Sequence, residues 1–408
     1  MKENSQICSK KAGIIIKTVE RCNINCTYCY YFNKSDQAWR NRKPHISLEM
    51  IDVFNSFISQ GIQDLNITNL LVEFHGGEPL LQRKDHFILM CQKIQSTAQK
   101  QNLSSIRFAL QTNGILLDKE WIKIFKDNNV GIGISLDGTK AQNDVYRLDK
   151  KGNSTYEKVI AGIKLCQDQD YNFGLLSVVN PKVNGSEVYD HFTKELQLKH
   201  FDFLLPDANH GGSTLYPAEE YGRFMIEVFD SWIKENSDKP RIFIRYCVNA
   251  LELFFGNYSR VEGFGKRNMN VLPLTCVSNN GDIGPLDDLR TCIPEKFVQY
   301  NIKDTSWKDF LADKFFDSFL HDMQNSPDKC KQCCYDNVCG GGTYGHRFNP
   351  ITMSFNNPSV YCSGLKMFWK RVVTFLLNHN FSEEKLKQIL MAPLDVSTSD
   401  QGQINRFT

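Results

Sequence analysis

Apolar and polar positions run through the first half of this chain in two rhythms. Short β-branched and aromatic runs read as strands: Gly13–Lys17, Leu70–Phe74, Ile106–Leu110, Val130–Ser135, Phe173–Val179 and Phe201–Leu205. Between them lie longer amphipathic stretches with helical spacing, Leu48–Gln60, Asp85–Ala98, Lys119–Lys126, Thr155–Gln167 and Ser186–Leu196. Strand–helix alternation of this kind predicts βαβ units on a parallel sheet. Six units are too few to close an eight-stranded barrel, so residues 1–210 are expected to form a partial, open (β/α)6 barrel. Residues 211–270 then turn helical, with Tyr216–Lys234 and Ile244–Phe255, and read as a bridge. Residues 271–365 are short loops, glycines and cysteines, and 366–408 a closing helix Met367–Leu377, a further helix Ser382–Met391 and a polar tail.

Polar signals gather at the C-terminal ends of the six strands. In order they are Cys22–Cys29, His75–Pro79, Gln111–Gly114, Leu136–Gly138, Val179-Asn180 and Pro206–His210. Active sites of such barrels are built from the loops at that face. Six separate segments therefore converge on one mouth.

Composition narrows the class. With 41% apolar and 23% charged residues and a formal charge of +2, the 408-residue chain reads as an ordinary globular protein. Neither nucleic acid nor a membrane surface is expected as a partner. No apolar run is long enough to span a bilayer, and Met1–Lys11 lacks a signal-peptide core. A cytoplasmic protein is expected. Fourteen cysteines in a reducing compartment then argue for metal or cluster ligation rather than disulfides.

The first cysteines stand at Cys22-x3-Cys26-x2-Cys29 directly after an apolar strand. A loop there can wrap three thiolates around one face of a cubane cluster, leaving one iron open. A zinc site or three buried thiols are the plain alternatives. The motif resembles that of the radical S-adenosylmethionine (SAM) enzymes, with Tyr28 where the family places an aromatic beside the adenine. His75-Gly76-Gly77-Glu78-Pro79 resembles the family's segment for the methionyl amino group, although alone it reads as a βα turn. Ser135 and Asp137 resemble positions contacting the SAM carboxylate and ribose, and Arg147 adds a possible fork to that carboxylate. The resemblance implies SAM and a 4Fe–4S cluster as cofactors, an external electron donor such as a flavodoxin or ferredoxin, and a 5′-deoxyadenosyl radical that abstracts hydrogen from carbon.

A second cluster of cysteines, Cys330-x2-Cys333-x5-Cys339 followed by Cys362, resembles the SPASM domain of peptide-modifying radical SAM enzymes. There these positions surround an auxiliary 4Fe–4S cluster. The chain departs from that pattern at Thr343, where the family usually has a further cysteine. That thiolate would serve another auxiliary cluster, to which Cys276 and Cys292 would belong. An upstream ligand near Asn270 is missing as well, and two thiolates do not secure a cubane. Either Cys334 or Cys247 completes that site, a non-thiolate ligand helps, or the first auxiliary cluster is absent. Cys8, Cys91, Cys166, Cys247 and Cys334 are otherwise expected to be buried small hydrophobes.

Two further segments, Leu204–Ala208 and Gly340–Phe348, resemble the XYE-type and darobactin-type maturases that crosslink ribosomally made peptides into three-residue cyclophanes. The resemblance implies a precursor peptide as partner and a bond from an aromatic ring to a Cβ. Asp207 and His346 are the candidate acid–base residues, among Asp207, His210, Asp287, Asp288 and His346; Arg347 pairs with substrate carboxylate or caps a turn. The residues before Cys22 are too few for a fused peptide-recognition domain, so the leader is expected on the barrel edge, on the bridge with Trp232, Phe254 and Phe255, or on a separate protein. Formylglycine formation, thioether formation and a non-catalytic cysteine-rich binding module are the alternatives.

Overall fold

The computed structural model describes residues 10–212, 214–236, 241–259, 261–265, 272 and 274–391. The expected Cys8, the Asn270 neighbourhood and the tail after Met391 lie outside them. In chain order the strands are β1 (Lys10–Val19), β2 (Ile24–Cys26), β3 (Ile67–Gly76), β4 (Ser105–Thr112), β5 (Val130–Ser135), β6 (Arg147–Asp149) and β7 (Phe173–Val178). They continue with β8 (His200–Leu204), β9 (Phe243–Ile244), β10 (Thr275–Val277), β11 (Asp282–Gly284) and β12 (Tyr300–Asn301). The chain packs as two units, Met1–Ser177 with Asn268–His321, and Val178–Arg267 with Asp322–Thr408.

In the first unit, β1, β3, β4, β5 and β7 lie side by side and parallel. Helices Leu48–Leu65, Lys84–Lys100, Lys119–Asp127 and Tyr156–Asp168 run between them, close to the expected ranges. Their starts are chemically marked. The Ser47 side chain accepts from Met50 N at 3.1 Å, and Asp118 accepts from Trp121 N at 2.7 Å. Ile14, Ile15, Ile16 and Val19 are buried, as befits a strand with neighbours on both edges and both faces covered.

The division differs from the linear one read in the sequence, and β10 is the reason. It pairs in parallel with the free edge of β1, from Ile14↔Thr275 to Ile16↔Val277. Strands β11 and β12 follow antiparallel, so the segment after residue 274 extends the first unit's sheet. Such a short strand has too few positions to show its partner by periodicity.

The second unit holds the parallel pair β8–β9 and helices Ala218–Glu235, Arg245–Glu252 and Cys362–Asn378. Helices 218–235 and 362–378 approach so closely that a Cβ on Gly222 would stand 2.5 Å from the Gly364 carbonyl oxygen. Trp232 and Phe254 are buried core residues, whereas Phe255 is exposed. Among the described residues no helix is long and apolar enough to cross a membrane.

Candidate active site

The first cysteine loop is held by short-range pairing that its sequence does not advertise. Strand β2 pairs antiparallel with β6, and the register sets Cys26 opposite Arg147. Thr27 N donates to Tyr146 O at 3.0 Å, and Cys29 N turns back to Cys26 O at 3.0 Å. Burial, then the Glu78 charge, pushes the Cys22 thiol up to about 12. Its other influences include Cys26 and Cys29, so the three thiols share one neighbourhood. Ligation would deprotonate them, since thiolate is the form that binds a metal.

The glycine segment zips onto the strand leading into this loop. Gly77 N donates to Val19 O at 2.8 Å and Glu78 N to Arg21 O at 2.9 Å. Gly76 has φ +142°, and a Cβ on Gly77 would collide with the Arg21 carbonyl. Glycine is needed here for close backbone approach. Glu78 is buried and saturated, accepting from Leu80 N at 2.9 Å, Thr112 Oγ1 at 2.7 Å and Asn113 N at 2.7 Å. Its place is that of a strut between two strand-end loops. Asn113, part of the Gln111–Gly114 signal but not among the candidate site residues, passes the support on: its Nδ2 donates to Asn23 Oδ1 at 2.7 Å and lies 3.8 Å from Cys22 Sγ.

Tyr28, Asp137 and Arg147 form one cluster. Tyr28 OH donates to Asp137 Oδ2 at 2.6 Å and accepts from Arg147 Nη1 at 2.8 Å. Arg147 is buried and not a surface residue. Burial would lower its pKa, but the Cys26 thiol, Tyr28 and Asp137 outweigh that and hold it well above the usual arginine value. Its Nε is buried with no partner in the protein. A buried, unsatisfied guanidinium donor costs about 1–3 kcal/mol and is matched by a ligand carboxylate. Ser135 Oγ accepts from Gln111 Nε2 at 2.8 Å. The thiol trio and the unpaired Arg147 donor thus fit a cluster and the amino-acid end of SAM.

Beside this cluster lies an ion network of which the sequence-based site held only His75, Cys276 and Asp287. Lys17 ends the apolar run of β1 yet is fully buried. It pairs with Asp287 and lies 3.1 Å from His75 Nδ1; Tyr30 OH also donates to Asp287. Arg290 donates from Nε to Asp287 Oδ1 and from Nη1 to Asp36 Oδ2, both at 2.8 Å. Burial alone would raise the Asp287 carboxyl, but Lys17 and Arg290 hold it well below the usual carboxylate range. Burial and the Lys17 charge push His75 down to about 3. A lysine at the end of an apolar strand was the available signal. Cys276 belongs to this network, and Cys292 follows the turn Asp287–Thr291.

The second cysteine group lies in the other unit. Cys333 N donates to Cys330 O and Cys339 N to Tyr335 O, both at 2.7 Å. Gly340, Gly341 and Gly342 then reverse the chain at φ +63°, +86° and +83°, where a side chain is strained. Cys362 opens helix Cys362–Asn378. Cys330 is influenced by Cys362 and Cys333, and Cys339 by Cys330 and Cys362. Four thiols therefore share one electrostatic neighbourhood. Among the described residues no three His, Cys, Asp or Glu groups are placed to hold a single metal ion.

His346, Asp207 and Arg347 also lie in the second unit. The His346 ring bonds to the Pro206 backbone, and burial pushes it down to about 4. Its Nδ1 is buried without a partner. Arg347 is an internal cap: Nε donates to Phe355 O at 3.0 Å and Nη2 to Asp322 O at 3.1 Å. Cys91, Cys166 and Cys247 are buried as expected, but Cys334 is exposed because it sits in the turns between Cys330 and Asp336.

Residues 16–194 match the family model of the Radical SAM superfamily. This segment is a radical SAM domain. Its cofactors are SAM and a 4Fe–4S cluster, and the radical SAM α/β fold is followed by a SPASM-like cysteine-rich region. The chain is 25% identical to a cysteine-type anaerobic sulfatase-maturating enzyme of Clostridium novyi (strain NT), over 90% of this chain and 96% of that protein. A serine-type enzyme of that description from Bacteroides thetaiotaomicron shares 24% identity over 90% of this chain and 91% of its own length. Among solved structures, native anSMEcpe with bound AdoMet and Cp18Cys peptide matches with a TM-score of 0.77 and 25% identity, covering 90% of this chain and 98% of that one.

Proposed function

We propose that this chain is a radical SAM peptide maturase that joins an aromatic ring to a Cβ of the same ribosomally made peptide. The observation that carries the reading is the packing of the two segments that resemble cyclophane-forming maturases. His210 N donates to Phe348 O at 2.8 Å, and the His346 ring bonds to the Pro206 backbone. Tyr361 ties them further, donating from its hydroxyl to Pro206 O at 2.9 Å with its ring 4.8 Å from that of His346.

When bound, SAM and the cluster supply a carbon radical able to take hydrogen from an unactivated peptide carbon. Cys22, Cys26 and Cys29 would hold the cluster. Arg147 Nε would receive the SAM carboxylate, with Tyr28 and Asp137 fixing the guanidinium. Cys330, Cys333, Cys339 and Cys362 would hold an auxiliary cluster. Joining a ring carbon to Cβ leaves one ring proton and one electron to remove. His346 Nδ1 is the proposed proton acceptor, because a ring kept neutral by burial has a lone pair there, and Asp207 is the second candidate. A flavodoxin or ferredoxin is the proposed external electron donor.

Formylglycine formation is the second reading, favoured by the sulfatase-maturating relatives over most of the chain. It begins with the same loss of a Cβ hydrogen and differs in the radical's fate. Co-expression with a short peptide encoded beside the gene separates the two. The expected product is lighter by one pair of hydrogens, gives no fragment ions between the joined residues and does not react with a hydrazide. Hydrazone formation would favour formylglycine; loss of a cysteine thiol would indicate a thioether; an unchanged peptide would contradict the proposal.

A further inference from the structure

The Cys276 thiol is fully buried on β10, between β1 and β11. It donates to Asp287 Oδ1 at 3.1 Å and accepts from Arg290 Nη2 at 3.4 Å. Neither partner is spare. Arg290 also holds Asp36 and Ser278 Oγ, the latter at 3.2 Å, while Asp287 takes Lys17 and Tyr30 on its other oxygen. To bind iron, Cys276 would have to place a thiolate against the Asp287 carboxylate. A cluster there would also displace Arg290, leaving the buried Asp36 without its charged partner and Asp287 with Lys17 as its remaining one. The second unit contrasts sharply, because its four cysteines have one another as electrostatic neighbours. Thr343 brings no thiolate, and Cys292 Sγ lies 3.6 Å from the hydroxyl of its neighbour Thr291.

We infer that the place of a first auxiliary cluster is taken in this chain by a protein-only ion network with Cys276 as its thiol member, so that Cys276 and Cys292 ligate no iron. This rests on the SPASM-type reading of the cysteines. The network instead ties β1, β10 and the turn Asp287–Thr291 together through Lys17, Cys276 and Arg290.

Iron and sulfide content of the full-length chain, reconstituted anaerobically and desalted, tests it. The wild type and the Cys276→Ser/Cys292→Ser variant should bind equal iron, about eight atoms per chain for two cubanes. Their reduced spectra by electron paramagnetic resonance should coincide. A loss of about four irons in the double variant would overturn the inference. Should the double variant not fold, Cys292→Ser gives the same comparison, since that thiol is partly exposed. Cys330→Ala is the control: it should lose about four irons. If it loses none, the SPASM-type reading fails, whatever Cys276 does.

Discussion

Replacing Cys26 with alanine abolishes cleavage of SAM and lowers the iron content by about four atoms per chain. The effect should be close to total, because three thiolates are the fewest that hold a cubane while leaving one iron open. Cys26 is also the residue that β2 sets opposite Arg147, so its loss acts on both halves of the proposed SAM site. The controls are Cys91→Ala and Cys166→Ala, which remove thiols buried in helices of the sheet's covering layer. These should keep their iron and their 5′-deoxyadenosine production. Substantial SAM cleavage by Cys26→Ala would remove this loop from the chemistry.

Replacing Arg290 with methionine destabilises the first unit by roughly 3–5 kcal/mol, the usual cost of breaking a buried ion pair from one side. For a unit of this size the melting temperature should fall by on the order of 10 °C. Asp36 and Asp287 both lose their guanidinium partner, and both are buried. A change within about 2 °C would show that the network contributes little.

The pH dependence follows from the same groups. Asp287 has a folded value depressed below its ordinary 3.8, so its contribution is present above that pH and is lost as pH falls through the depressed range. His75 is lowered from 6.5 to about 3, so the unfolded chain binds its proton more readily between those values. Both effects have one sign. Stability of the wild type should rise from about pH 3 to 6.5, and the Arg290→Met variant should lose part of that slope.

Strand order and the initiating motif were legible because their signals are local. Gly13–Lys17 is long enough to show a buried strand, and Cys22, Cys26 and Cys29 are close in sequence. Arg147 stood out as a candidate carboxylate fork, but its place opposite Cys26 was not legible. Strands β2 and β6 have three residues each, too few for a periodic signal, and only their register brings Cys26 to Arg147. Lys17 looked like the polar end of a strand, and nothing local revealed that Asp287 would bury with it. The same holds for β10, whose three residues join the edge of β1 from far along the chain. Glu78 stood out by its motif, yet its hydrogen bonds to Thr112 and Asn113 depend on β3 and β4 being adjacent.

Isotope transfer tests the central claim most directly. The reduced chain is supplied with SAM and a substrate peptide deuterated only at the β-carbons, and the 5′-deoxyadenosine is analysed by mass spectrometry. Hydrogen abstraction from a peptide Cβ predicts deuterium in the deoxyadenosine, together with a modified peptide that has lost it. Deoxyadenosine that stays free of deuterium while the peptide is modified would contradict the account.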